Sequence, residues 1–115
     1  MSETLAQLKI LQRADGVPVT IRRSTQTCDL IAVPSFSKTQ LFDGGGSLTE
    51  VMVDDWIIVA SEWTLDGPPQ KGDEIAVDDS AKYLVSHPDN KTPVYSNFNL
   101  LDRPAKAWIV HSTPR

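Results

Sequence analysis

Three acidic pairs, Asp54-Asp55, Asp73-Glu74 and Asp78-Asp79, stand close together in the middle of the chain. Several such oxygens are what a hard cation takes. Their spacing lacks the D-x-[DN]-x-[DN]-G pattern of a calcium loop, and two of the pairs fall at expected turns, where Asp side chains bond the backbone. They are therefore read as solvated turn acids. The run Gly44-Gly45-Gly46-Ser47 invites comparison with a phosphate cradle. A P-loop, however, ends in Gly-Lys-Ser/Thr at a helix start whose amides point at the phosphates, and neither is present. Nucleophilic catalysis would draw on Cys28 or a serine with His87, His111 and an acid. No G-x-S-x-G elbow or H-E-x-x-H pair links these residues, so no catalytic or metal-ligating residue is assigned. Cys28 is the single cysteine. It has no partner for a disulfide or a zinc site and no close cation to lower its pKa, so a buried, inert thiol is expected.

Aromatic side chains are the other chemical resource. Trp56 and Trp108 lie inside apolar runs and are expected in the core, each indole N–H seeking an acceptor. Trp63 sits between Glu62 and Thr64 just before the Gly67-Pro68-Pro69 turn. That setting makes it the candidate aromatic anchor at a protein interface.

The elements that must position these residues belong to one domain. The chain has 115 residues, 40% hydrophobic and 23% charged, enough for one core and too little for two ordinary ones. The longest clean apolar run is Trp56–Ala60, far short of the roughly 18 residues of a membrane helix. The start, MSETLAQLKILQRADG, lacks the basic and apolar regions of a secretory signal, so a cytoplasmic product is expected. Charge is uneven. Residues 1–50 hold five acids and five bases, residues 51–80 eight acids and one base, and residues 81–115 two acids and five bases. A net charge of -4 with scattered bases argues against tight nucleic-acid binding, which displaces counterions with a basic patch.

Leu5, Leu8, Ile10 and Leu11 recur at helical spacing ahead of Asp15-Gly16, predicting a short helix over 3–13. Three turns are marginal alone, so this helix must lean on something else. From Pro18 the period becomes two. Strands are expected over Pro18–Arg23, Leu30–Val33 (closed by Pro34), Glu50–Ser61, Glu74–Val77, Lys82–His87, Val94–Phe98 and Ala105–Ser112, with a long Gly-rich loop from Phe36 to Glu50. In the last strand Ala105, Ala107, Ile109 and His111 share one face, and Lys106, Trp108 and Val110 the other. Short strands at turn-marked intervals without helical patterns indicate a mainly β fold, a small antiparallel β-barrel or sandwich over 17–112.

Read in order, GVPVTIRR, LIAVPSFS, VDDWIIVAS, GPPQKGDEI, KYLVSHP and RPAKAWIVH form a pattern that resembles the small head-to-tail joining proteins of tailed bacteriophages and prophages, also called head closure, head completion or stopper proteins. The resemblance rests on Asp55-Trp56-Ile57-Ile58, on the P-x-x-G-D-x-I turn from Pro69 to Ile75, on Tyr83-Leu84-Val85 and on Arg103 to His111. It implies a structural virion protein without enzymatic activity or cofactor, assembled in the host cytoplasm and resident in the virion neck. Its copies, six or twelve, would form a ring below the portal or adaptor and above the tail terminator or tail tube. That ring would close the DNA-filled head, present a docking surface to the tail and pass genomic DNA without sequence-specific binding. An acidic balance suits such a conduit, since tight phosphate neutralisation would brake the passing polyanion.

Within this reading the loop residues Phe36, Lys38, Gln40, Phe42, Asp43, Gly44, Gly45 and Gly46 are the candidate channel or docking element. Leu5, Leu8, Trp63, Leu100, Leu101 and Arg103 are the candidate contacts to neighbouring subunits or the adaptor. The alternatives are a tail terminator or other tail-associated ring protein and, from a different class, a small soluble binding module. The second would need exposed aromatics interleaved with bases, which the sequence lacks.

Overall fold

Alternating side chains turn most of the chain into strands, because a period of two is what a half-buried sheet demands. The computed structural model describes residues 16–42, 44–78, 81–100 and 103–115. The helix expected over 3–13, with Leu5 and Leu8, lies outside these residues. Among the described residues seven strands follow one another: β1 (Val17–Arg23), β2 (Gln26–Phe42), β3 (Leu48–Val59), β4 (Glu74–Val77), β5 (Ala81–Val85), β6 (Tyr95–Leu100) and β7 (Arg103–Pro114). A 3-10 turn over Ala60–Glu62 follows β3.

β1 and the start of β2 form a tight hairpin, Arg23 opposite Gln26 and Val17 opposite Ala32. From Val33 onward β2 changes partner and runs beside β3, from Val33 opposite Ile57 to Phe42 opposite Leu48. β4 covers the other edge of β1, and β5 pairs with β4. β7 completes the circuit by joining β5 through residues 112–114 and β3 through residues 107–112. The order β3-β2-β1-β4-β5-β7 therefore closes on itself, and β6 lines the edge of β7 that β5 leaves open. Of the two expected architectures the barrel is the one formed.

Val19 and Ile21, then Cys28, Leu30 and Ala32, then Trp56 and Ile58 enter the core at every second position, where Ile75, Val85 and Val110 meet them. Ile21, Ile58, Ile75, Val85 and Val110 are fully buried, each worth about 1.5–3 kcal/mol relative to exposure. The indole of Trp56 donates to Ser112 Oγ at 3.0 Å, and that hydroxyl donates onward to the Asp54 carbonyl at 2.8 Å. The core's polar atoms are thereby satisfied where β3 and β7 meet.

Three expectations are corrected. The segment from Phe36 to Glu50 is not a loop: it is the distal half of the β2–β3 hairpin, and only the connection between Phe42 and Leu48 is a turn. Pro34 does not end the strand, because it lies past the end of β1 on a stretch of β2 where, among the described residues, only β3 pairs with it, and a strand edge without a ladder partner tolerates a residue without an N–H. Trp63 is not an exposed anchor. It is 9% exposed and belongs to the core. Its ring meets Trp108 edge-on at 5.6 Å, and its indole donates to the Gly67 carbonyl at 2.8 Å. The 3-10 turn after β3 brings it inward, which its polar sequence neighbours conceal.

Candidate functional site: the projecting hairpin

The acids were candidates for chemistry and prove to be fasteners. Asp73, 3% exposed, accepts from Arg23 Nε at 2.8 Å and Nη2 at 2.7 Å and from the Gln70 backbone N–H at 2.9 Å. Arg23 also donates to the carbonyls of Asp66 and Pro68 and lies 5.9 Å over the Trp63 ring. One guanidinium thus ties the end of β1 to both sides of the Pro-Pro turn. The hydrogen bonds to Asp73 raise the Arg23 pKa above its ordinary value against the opposing effect of burial.

Asp55, 4% exposed, holds His111 Nδ1 at 2.7 Å, and Glu74 is flanked by Arg22 at 3.8 Å and by Arg115. The reading of these acids as solvated is therefore corrected for Asp55 and Asp73. Each is buried because a cationic or imidazole partner on a neighbouring strand or turn makes that burial tolerable.

His87 and His111 meet edge-to-face with ring centroids 5.1 Å apart. Asp89 contacts His87 Nδ1 at 2.7 Å. The Asp89 carboxylate lies well below the usual carboxylate range, held there first by the Thr92 hydroxyl, then by the Thr92 and Lys91 backbone N–H groups and by His87. This network locks the turn after β5 in place. The Cys28 thiol is buried apart from it, donating to the Glu62 carbonyl and accepting from the Thr64 N–H. Among the described residues no group of three His, Cys, Asp or Glu side chains could hold a metal ion. No helix there is long and apolar enough to cross a membrane.

What the fold presents outward is the hairpin. Among the described residues, 38–42 of β2 and 48–52 of β3 pair only with each other, so this arm extends about 15 Å past the barrel wall. Phe36, Lys38, Gln40 and Phe42 alternate along β2 and share a face. The register adds Leu48, Glu50, Met52 and Asp54 from β3, opposite Phe42, Gln40, Lys38 and Phe36 respectively. Phe36 is 62% exposed, Phe42 76%, Leu48 53% and Met52 60%. Lys38 Nζ and Glu50 Oε1 stand 3.4 Å apart, with Phe42 and Leu48 toward the tip and Met52 and Phe36 toward the barrel. Gly44, Gly45 and Gly46 form the tip, and Gly46 uses a φ of +84° that other residues rarely adopt.

The candidate residues therefore separate. Four of the eight loop residues project from one face and the three glycines turn the chain, while Asp43 lies outside the described residues. Of the proposed contacts, Trp63 is in the core, Leu100 and Arg103 pair at the β6–β7 connection, and Leu5, Leu8 and Leu101 lie outside the described residues. Leu48 and Met52 complete the exposed face and were missed. The signal was available only if residues 36–42 had been folded back onto 48–54 in alternating register. A family model described as phage head-tail joining protein matches residues 3–115. No curated protein matches the chain.

Proposed function

The chain belongs to the phage head-tail joining protein family, and from that premise we propose that its copies, six or twelve, form a ring in the virion neck. The ring sits between portal or adaptor and the tail terminator or tail tube, closes the DNA-filled head and gives the tail its docking surface. The observation that supports this reading is the arm: a rigid barrel carries a two-stranded projection whose large apolar side chains remain in solvent. Isolated exposed hydrophobics need no explanation, but four large ones gathered on one face of a single hairpin mark a surface made to be covered. The arm reaches either the channel or the tail. Leu5, Leu8, Leu100, Leu101 and Arg103 supply contacts to neighbouring subunits or the adaptor, and genomic DNA passes without sequence-specific binding. Assembly takes place in the host cytoplasm.

Two experiments test it. Interrupting the gene before codon 50 is expected to yield filled or leaking heads separate from complete tails in electron micrographs; normal virions would refute the neck role. Removing Gly44 to Gly46 leaves two residues between Phe42 and Leu48, the length of the commonest hairpin connection. The fold should survive while DNA retention or tail joining fails. Fully infectious particles from this variant would remove the arm from the mechanism.

A further inference from the structure

The exposed large hydrophobic side chains among the described residues are Phe36, Phe42, Leu48 and Met52, and the register puts all four on one face of the arm. The large exposed hydrophobic side chains that a second copy can offer these residues, within the described surface, therefore all lie on the same face. We propose that the free chain pairs with itself as a two-fold dimer, arm face against arm face, exchanging Lys38 of each copy with Glu50 of the other. A two-fold contact requires a self-complementary surface, and this one qualifies. Its apolar residues lie toward both ends of the arm, the middle carries Lys38 and Glu50 within 3.4 Å of each other, and Asp54 adds a second carboxylate at the base of the face opposite Phe36. Stacking two such faces brings each cation near an anion and leaves neither charge buried alone.

The area sets the strength. The exposed fractions of these four side chains correspond to about 450 Å² of apolar surface per copy, below the roughly 800 Å² per partner of a standard stable interface. The dimer is thus weak and reversible. It concerns the free chain and does not rest on the neck role, so either can fail without the other.

Sedimentation of the full chain from about 10 µM to about 1 mM, a range that detects free energies down to roughly -4 kcal/mol, should show a monomer–dimer equilibrium. A single monomeric species throughout would overturn the proposal. Phe42→Ser with Met52→Ser should weaken association at least tenfold with unchanged far-ultraviolet circular dichroism; association that persists would place the contact elsewhere and overturn it. The charge exchange has its own test. Lys38→Glu alone makes the middle of the face doubly acidic and Glu50→Lys alone makes it doubly basic, so each should lose self-association. Mixing the two variants should restore a dimer containing one of each. A mixture that stays monomeric would overturn the exchange, because a pair acting only within one chain has no reason to respond to a second.

Discussion

At the residue scale, Arg23 and Asp73 do the most to fix local structure. They explain why a Gly-Asp dipeptide follows the Pro-Pro turn: Gly72 adopts a φ of +97° with open space around its Cα, and Asp73 then turns inward to the guanidinium. Removing one partner of a buried ion pair costs about 3–5 kcal/mol when both are fully enclosed. Arg23 retains 18% side-chain exposure, so Asp73→Asn should cost about 2–4 kcal/mol in urea unfolding. Arg23→Met with Asp73→Leu should cost less than the sum of the single changes, because no charge is then left alone.

Asp89 makes a pH prediction. Its carboxylate titrates below the usual range in the folded chain and near 3.9 when unfolded. Its stabilising contribution is therefore complete above about pH 4 and is lost as pH falls toward the folded value. The stability difference between wild type and Asp89→Asn should be constant from pH 5 to 7 and shrink below about pH 4. A difference that grows in acid would contradict the sign.

At the element scale, β2 and β3 each serve two purposes. Their proximal halves carry Leu30, Ala32, Trp56 and Ile58 into the core, while their distal halves carry Phe36, Phe42, Leu48 and Met52 into solvent. Stability and projection are thus separable by mutation. Phe36→Ser should change unfolding free energy by less than about 0.5 kcal/mol, as surface changes do. Ile58→Ala should cost about 2–5 kcal/mol through lost burial and a residual cavity. Comparable costs for the two would mean that the arm folds back onto the barrel. The alternation in β1 was legible in the sequence because Val19 and Ile21 are buried while Pro18 and Arg22 face solvent; in β7 Ala107 is buried from one face and Val110 and Ser112 from the other. The arm was not legible, since F-S-K-T-Q-L-F is partly polar on both faces and glycines follow it, which suits a loop equally well. Only pairing with residues 48–54 makes it a strand.

At the scale of the whole molecule, closure of the sheet joins six of the described strands around a common core, which predicts cooperative unfolding. The core draws on β1 to β5 and β7, and Trp56, Trp63 and Trp108 all lie in or against it. Tryptophan fluorescence and circular dichroism should therefore give superimposable urea transitions; separated midpoints would show a part of the chain unfolding alone. By itself the sequence determined that the protein is a mainly β domain with apolar residues at alternate positions, turns at its Gly, Pro and Asp clusters and the motifs of a head-tail joining protein. Those features are local, and they follow from backbone sterics and side-chain period. Only the tertiary structure decided that the sheet closes as a barrel, that Trp63 and Asp73 are buried, that His87 meets His111, and that Phe36 and Phe42 share a surface with Leu48 and Met52. Each of these depends on which strands become neighbours, and that choice is made by the free energy of enclosing a common core and not by any residue's own preference.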